Sequence, residues 1–458
     1  MRPSRSMMSA IPSPPVQLEV VMPRHLLAIT IAPILGLFII STGNGLISSL
    51  TPLRLDAMGE SAMVIGLISA AYFVGLTIGA FCNDRLIIRT GHIRAYSSFA
   101  SLTAVTILLQ GMLVNPWAWF VLRLINGWAT MGVFLVVESW LLLAADQNNR
   151  GRLLAVYMIA LYGSCLISQV GLGNIDGLGV DSPFMLAGTL SALSVVPMVV
   201  IPRIAPEMER VEPVMPQQLL KLTPTGVMGC FGSGIALAAI YSLLPLYLQR
   251  VGMDVRQVGH MMAYVIFGAM LLQYPVGRWS DRQDRQRVLI VLSALCVLIS
   301  AAIIVLPNSP FIGLLMFLLG GGIFSLYPVS VSHAADRTSA DALVRMIQGM
   351  LLINSFGSAI SPLIISPVMS GVGASGLFWS LAVLHLFLLV FFIWRRMVRP
   401  APVPVAPFEP STQMTPIGVE LRVTDDLVAG ALDQDMAATP EMAAERNPLS
   451  DDDAPLQP

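Results

Sequence analysis

Two charged side chains lie inside one long apolar segment of this sequence. Arg123 and Glu138 both fall in the run from about residue 117 to 143, which is long enough to cross a membrane as a helix. At about 1.5 Å per helical residue the two side chains are about 22 Å apart, so they cannot pair directly. A charge inside a membrane needs a partner or a wet cavity, so both residues are candidates for function.

Each of these charges could act in more than one way. Arg123 could brace neighbouring helices through their carbonyl groups, or it could attract an anionic group of a substrate. Glu138 could take up and release a proton, or it could be a permanent acid that holds Arg85, Arg150 or Arg152 in a cytoplasmic gate. The gate is favoured for Glu138, because basic residues crowd the same end of the predicted helix.

Uncharged polar side chains inside other apolar segments are candidates for lining a cavity. Hydrogen bonds between membrane helices use the same residue types, so each side chain could instead join two helices. The candidates are Asn44, Asn126, Gln169, Tyr241, Gln273 and Asn354.

A dense polar loop over residues 277–287 separates two apolar segments, and a weaker copy lies over residues 80–94. An aspartate at the end of a helical hairpin can accept hydrogen bonds from a neighbouring helix N-terminus, while the arginine after it pairs with an acid elsewhere. If these loop charges served only to orient the protein in the membrane, arginines would be expected at these positions but aspartates would not. The predicted cytoplasmic gate consists of Asp84, Arg85, Arg150, Arg152, Asp281, Arg282, Arg285 and Asp336.

Composition indicates an integral membrane protein. Hydrophobic residues make up 55% of the chain and charged residues 12%, against about 25% charged residues in soluble domains. Apolar segments of about 20 residues, among them 95–114 and 182–201, recur about twelve times around a proline-rich break. We therefore predict an all-α membrane protein with about twelve transmembrane helices in two six-helix halves. The four cysteines have neither paired nor metal-ligand spacing, so neither a disulfide framework nor a metal site is predicted.

Residues of the first half correspond to residues of the second half at nearly the same separation along the chain. Pro52 corresponds to Pro245, and Gly66 corresponds to Gly259. Such a parallel repeat predicts a substrate site between the halves, near the middle of the membrane. Basic residues concentrate in the even-numbered connections, so both termini are predicted to be cytoplasmic.

The predicted boundaries divide the chain into five parts. After Pro400 there are eleven acidic residues and two arginines, a net charge of −9, so a chain total of −1 leaves +8 for the rest. This acidic, Pro-rich segment is predicted to be disordered, with docking to a partner or a gate as the other interpretation. The parts are a cytoplasmic tail (1–24), an N-terminal bundle (25–201), a cytoplasmic linker (202–222), a C-terminal bundle (223–396) and the acidic tail (397–458).

The loop over residues 277–287 resembles the signature loop of the major facilitator superfamily of transporters, in which Gly is followed by Asp-Arg and further basic residues. Asp284 stands where the superfamily usually has Gly, and Ala80 replaces the Gly of the upstream copy. The matching residues are Gly277, Asp281, Arg282, Arg285 and Arg287.

Arg123-x-x-Asn126-Gly127 resembles the fourth-helix motif of the same superfamily, with Asn126 in the place of Gln. In proton-coupled relatives that arginine is tied to the coupling of proton and substrate, so the resemblance implies this role for Arg123. The sequences of residues 138–141 and 149–154 are similar to those of the YcaD-like branch, whose substrates are mostly unassigned. The fifth segment has glycines but lacks the Gly-Pro step that is usual in drug and proton antiporters.

The resemblance implies a secondary transporter of a small organic solute that alternates access between two halves. We expect proton coupling and favour efflux, with a metabolite-uptake symporter or an uncoupled facilitator as alternatives. A non-transporting sensor or scaffold that uses the acidic tail is the competing class. No catalytic motif is visible, so neither an enzyme nor a cofactor is predicted. The expected setting is the bacterial inner membrane, with a monomer that contacts lipid, protons and solute but no nucleic acid.

Overall fold

The computed structural model describes residues 24–144, 150–175, 179, 181–200, 216–307, 309–338 and 340–398. Every regular element within these residues is a helix. The predicted N-terminal tail, the acidic tail and most of the linker lie outside the described residues.

The first half contains five long helices and a broken sixth one. These are α1 (Arg24–Ala57), α2 (Ala62–Thr90), α3 (His92–Met112), α4 (Pro116–Ala144), α5 (Arg150–Ile175) and the consecutive pair α6 (Ser182–Leu193) and α7 (Val195–Val199).

The second half begins after a short helix, α8 (Pro216–Leu222). Its six long helices are α9 (Pro224–Arg250), α10 (Val255–Arg282), α11 (Arg285–Val305), α12 (Ile312–Ala335), α13 (Ala340–Val372) and α14 (Gly376–Val398).

Eleven helical stretches among the described residues are long and apolar enough to cross a membrane, with α6 and α7 counted as one stretch. Helix α3, which has 21 residues, is not among them. The predicted all-α membrane fold is therefore confirmed.

The sixth segment is broken where the sequence predicts one continuous helix over 182–201. Pro197 has no backbone N–H, so the carbonyl of Leu193 cannot receive its usual intrahelical hydrogen bond. Helix α6 ends at Leu193 and α7 begins at Val195. Between them, the Ser194 hydroxyl donates to the Ser191 carbonyl at 2.7 Å.

Polar residues at the helix ends explain where several helices begin. The Ser61 side chain accepts a hydrogen bond from the Val64 N–H and caps α2. Asp254 and Gln257 form a reciprocal capping box at the start of α10. Gly91 connects α2 to α3 with φ of 85°, a backbone conformation that favours glycine.

The two halves repeat the same helix packing. Helix α1 packs on α5, α2 on α4 and α3 on α6, while α9 packs on α13, α10 on α12 and α11 on α14. Gly127 of α4 allows a close approach to the Tyr72 carbonyl of α2, and Gly320 of α12 allows the equivalent approach to the Val265 carbonyl of α10. The sequence repeat is thus matched by a repeat in packing.

Three helix pairs join the halves: α2 with α13, α5 with α10 and α1 with α9. The end of the bundle that carries the α1–α2 and α9–α10 connections is called the outer end here, after the orientation that the arginines predict. The opposite end is called the inner end. The joining helices leave space between the halves halfway along their length.

Candidate functional site

A central cavity lies between the two halves, close to the midpoints of the helices that line it. About 60 Å³ of it is accessible to a molecule of the size of water. Three tyrosines and two phenylalanines contribute rings to its wall, and the residues lining it include no Asp, Glu, Lys or Arg among those the structure describes. The wall consists of Ser41, Asn44, Gly45, Ser48, Tyr72, Phe134, Leu161, Tyr162, Cys165, Leu237, Tyr241 and Phe324.

A smaller second cavity, with about 20 Å³ accessible to a molecule of the size of water, adjoins the central one through Leu237, which lines both. Asn354 is one of its lining residues. The Asn354 amide donates to the Cys230 carbonyl at 3.1 Å and to the Ser233 hydroxyl at 2.9 Å, so it also joins α13 to α9.

Apart from Asn126, which is described below, the five other predicted cavity residues have different surroundings. Asn44 and Tyr241 line the central cavity. Gln169 joins α5 to α1 instead, since its Oε1 accepts from the Ser49 hydroxyl at 2.7 Å and its Nε2 donates to the Gly45 carbonyl at 2.9 Å. Gln273 is buried on α10 and lines neither cavity. With Asn354 at the smaller cavity, the candidates divide between lining a cavity and joining helices.

Arg123 reaches the central cavity through an aromatic ring. Its side chain is buried, and the guanidinium carbon lies 4.3 Å from the centre of the Tyr72 ring. Such a cation–π contact is strongest where water is excluded. Arg123 Nε has no hydrogen-bond partner in the part of the chain that the structure describes. Tyr72 lines the cavity and Arg123 does not, so Tyr72 connects this charge to the cavity wall.

Asn126 and Glu138 lie away from Arg123 in separate environments. The Asn126 amide donates to the Thr106 hydroxyl of α3 at 3.2 Å, within the α3–α4 interface. Glu138 is buried toward the inner end of α4 and accepts a hydrogen bond from the Tyr157 hydroxyl of α5 at 3.3 Å. The three residues predicted for coupling are therefore not one cluster.

Tyr72 is a cavity residue that the sequence analysis did not single out, and Thr130 of α4 lies beside another cavity residue, Asn44. The Asn44 amide nitrogen donates to the Thr130 hydroxyl at 3.1 Å. A tyrosine within an apolar segment was the available signal for Tyr72. The Asn44–Thr130 hydrogen bond joins α1 to α4, and the contact of Arg123 with Tyr72 joins α4 to α2.

An ion-pair network occupies the inner end of the second half. Arg285 Nη1 donates to Asp336 Oδ1 at 3.1 Å, and Arg285 Nη2 donates to Asp281 Oδ1 at 3.3 Å. The side chains of Arg285 and Asp336 are each only 1% exposed. Arg282, the other arginine of the loop, is exposed. The network connects the ends of α10, α11 and α12, so it stabilises the second half internally.

The predicted gate residues of the first half are more accessible. Asp84 is half-buried at the inner end of α2, whereas Arg85 and Arg152 are exposed. The Arg150 side chain lies outside the described residues. Of the side chains that the structure describes at these four positions, neither arginine is buried as Arg285 is in the second half.

Asp284, which departs from the superfamily loop, has a local role. Its carboxylate accepts a hydrogen bond from the Gln286 N–H at 2.9 Å and so caps α11. Its other oxygen lies 3.4 Å from Nε of Arg396, near the end of α14. An acid at this helix N-terminus is favoured by the helix dipole.

The halves contact each other tightly at the outer end. A Cβ at Gly66 of α2 would collide with Ser366 of α13, and a Cβ at Gly259 of α10 would collide with the Gln169 carbonyl of α5. Asp56, which ends α1, accepts two hydrogen bonds from Arg250 at the end of α9, at 2.7 and 3.0 Å. Two glycine contacts and one ion pair thus close the outer side of the central cavity.

Comparison with known proteins finds relatives that all belong to one family. The Major Facilitator Superfamily profile matches residues 34–347 and 228–432. An uncharacterized MFS-type transporter of Enterobacter sp. (strain 638) is 30% identical over 370 residues, which cover 80% of this chain and 96% of the relative. The uncharacterized MFS-type transporter YcaD of Escherichia fergusonii is 31% identical over 334 residues, covering 71% of this chain and 85% of YcaD.

Solved structures support the same fold. The nucleoside transporter NupG superimposes with a TM-score of 0.66 at 15% identity, covering 81% of this chain and 99% of NupG. A bacterial homolog of the human lysosomal transporter Spinster gives a TM-score of 0.63 at 14% identity, covering 82% of this chain and 96% of the homolog. Together with the sequence relatives, they confirm the predicted resemblance to YcaD-like proteins, and the chain belongs to the major facilitator superfamily.

Proposed function

We propose that this transporter moves a small, uncharged organic solute through the central cavity by alternating access. The observation that carries the proposal is a cavity between two repeated halves whose outer side is closed by direct contacts between those halves. Opening the outer end and closing the inner end would expose the same cavity to the other side of the membrane.

The wall of the cavity supports an uncharged solute with both apolar and polar groups. Its rings provide apolar surface, while Ser41, Asn44 and Ser48 provide a few polar groups that would fix orientation. Ligand sites in proteins usually combine apolar and aromatic surface with a small number of placed polar groups. A fully charged solute would enter without an opposite charge on the described wall, which is costly in a dry cavity.

Each half would move largely as a rigid body. In the second half, the buried Arg285 network holds the inner ends of three helices together. In both halves, glycines bring neighbouring helices into backbone contact. The contacts between the halves at the outer end include an ion pair that is partly exposed to solvent. Motion would therefore separate the halves at this end before it disrupted either half.

Proton coupling is part of the proposal, with Glu138 as the group that takes up the proton. Glu138 is the buried carboxylic acid of the first half, among the residues that the structure describes, and Tyr157 donates to it. Arg123 would act on the solute through Tyr72, and Asn126 would hold α4 against α3. Efflux remains the favoured direction, in a monomer of the bacterial inner membrane with both termini in the cytoplasm.

The test uses the full-length protein in proteoliposomes that contain a pH-sensitive dye. A panel of uncharged solutes is added, and proton movement and solute accumulation are measured together. We expect a solute-dependent proton flux that Glu138→Gln abolishes, while the loop variant Glu60→Gln retains it. Protons that move opposite to the solute indicate antiport and efflux, and protons that move with it indicate uptake by symport.

Other outcomes would contradict parts of the proposal. Solute that equilibrates without a proton flux would make the protein an uncoupled facilitator and exclude the role of Glu138. A protein that moves none of the solutes, although it is folded and inserted, would contradict transport of uncharged solutes. The alternative of a sensor or scaffold has no support among the relatives, which are named as transporters.

A further inference from the structure

We infer that the central cavity binds a flat, uncharged ring compound that donates an N–H or O–H hydrogen bond to Oδ1 of Asn44. The inference rests on the proposed function and specifies the class of solute that the cavity would carry.

Asn44 presents an acceptor that the described residues leave without a donor. Its side chain is 8% exposed and lines the cavity. Nδ2 donates to the Thr130 hydroxyl at 3.1 Å, whereas Oδ1 has no hydrogen-bond partner among the described residues. A buried polar atom without a partner is destabilising, so a ligand that donates to it would gain the whole of the missing interaction.

The rings around Asn44 favour a flat ligand. Phe324 lies between two tyrosines, with ring centres 6.4 Å from Tyr162 and 5.9 Å from Tyr241, both edge to face. Phe134 and Tyr72 add two more rings to the same wall. Aromatic surfaces prefer offset-stacked or edge-to-face neighbours, and a planar ring satisfies both arrangements. Arg123 stabilises the Tyr72 ring within this set.

The test compares planar compounds in matched pairs that differ by N–H and N–CH₃. Suitable pairs are theophylline with caffeine, uracil with 1,3-dimethyluracil, and benzimidazole with 1-methylbenzimidazole. Binding to the purified full-length protein is measured by isothermal titration calorimetry. We expect at least one N–H compound to bind about tenfold or more tightly than its methylated partner, because only the N–H compound can donate to Asn44.

Variants separate the Asn44 acceptor from general packing. Asn44→Leu removes the acceptor and should abolish the preference for the N–H compound. Asn44→Asp retains an acceptor and should retain the preference. Thr42→Ala is the matched control, because Thr42 of α1 is not among the residues that line the cavity and its hydroxyl donates to the Phe38 carbonyl within the same helix. It should leave the preference unchanged.

The comparison within the wild-type protein does not depend on the folding of any variant. Equal binding of both members of every pair, or no binding of any member, would overturn the inference. Persistence of the preference in folded Asn44→Leu would overturn it as well. Transport of other uncharged solutes in the proteoliposome assay would then leave the proposed function intact, whereas absence of all transport there would contradict the proposed function itself.

Discussion

At the scale of single residues, the buried arginines of the two halves are stabilised by different partners. Arg123 lies against an aromatic ring, and Arg285 lies between two carboxylates. No carboxylate in the ion pairs of the described residues neutralises the charge of Arg123, whereas two carboxylates neutralise the charge of Arg285. Substitution of each arginine should therefore have a different consequence.

The contact between Arg123 and Tyr72 can be measured by substitution of the ring. Tyr72→Phe keeps an aromatic face, so it should change the free energy of unfolding little. Tyr72→Leu removes the face from a buried cation and should cost about 2 kcal/mol. Unfolding in mixed detergent micelles provides the measurement, and the double variant Tyr72→Leu with Arg123→Ala should be less destabilised than the sum of the two single variants. Additive effects would show that the two groups are not coupled.

Arg285 should be far more important for stability than its neighbour in the signature loop. Arg285→Ala removes the guanidinium that neutralises the buried Asp336 carboxylate, and we expect a loss of about 3–5 kcal/mol. Arg282→Ala, at an exposed position of the same loop, should stay within about 0.5 kcal/mol of the wild type. The same micelle unfolding experiment compares them. Similar losses in both variants would contradict the assignment of Arg285 as the buried member of the network.

The sequence located these charges but could not assign their partners. The loop motif predicted Asp281, Arg282 and Arg285 together, yet only the rotation of the helix ends decides which arginine turns inward. Tyr72 was missed because a tyrosine in an apolar segment resembles any other packing residue until a cation is seen against it. Asn44 was predicted as a cavity residue from its polarity alone, while its unsatisfied oxygen depends on where Thr130 lies in another helix.

At the scale of helices, the glycines at the outer end determine how closely the halves approach. Gly259→Ala would place a methyl group against the Gln169 carbonyl and should hold α10 away from α5. Cys165 lines the central cavity and reports its accessibility. A Cys82→Ala background removes the exposed cysteine. In this background, we expect a membrane-impermeant maleimide added at the outer side to label Cys165 faster in the Gly259→Ala variant than in the protein that keeps Gly259.

Gly171→Ala is the control for this experiment, since a Cβ at Gly171 of α5 would meet no atom within 4 Å. Its labelling rate should equal that of the Cys82→Ala background. An unchanged rate in Gly259→Ala, with both proteins folded, would mean that this glycine contact does not keep the outer end closed.

Helices were more predictable than the surfaces by which they pack. The long apolar runs predicted where membrane segments lie, and the third one, expected over 95–114, is α3 (His92–Met112). The break at Ser194 follows from Pro197, a signal present in the sequence but outweighed by the length of the apolar run. The face that each helix turns to the cavity could not be read, because lipid and protein interior are both apolar and the sequence gives little contrast between them.

At the scale of the whole molecule, the central cavity, the contacts between the halves at the outer end and the Arg285 network at the inner end all lie before residue 399. A chain that ends at Val398, without the acidic segment, should therefore transport solute at an unchanged rate in proteoliposomes. The predicted position of that segment in the cytoplasm can be checked with a fluorescent protein fused after Pro458, which should fluoresce, and with alkaline phosphatase, which should be inactive. Loss of transport in the shortened chain would instead assign the acidic segment a role in the transport cycle.

The two ion pairs at opposite ends of the molecule differ in their contact with water. Asp56 and Arg250 have exposed fractions of 21% and 28%, whereas Arg285 and Asp336 are at 1%. Dissolved ions screen exposed charges over about 10 Å at 0.1 M and about 3 Å at 1 M, and they affect buried charges much less. In the predicted orientation, the salinity of the medium outside the cell acts on the Asp56–Arg250 pair, whereas the Arg285–Asp336 pair is buried at the opposite end. In brine the outer end should open more readily, and the transporter would spend more of its cycle facing the surroundings.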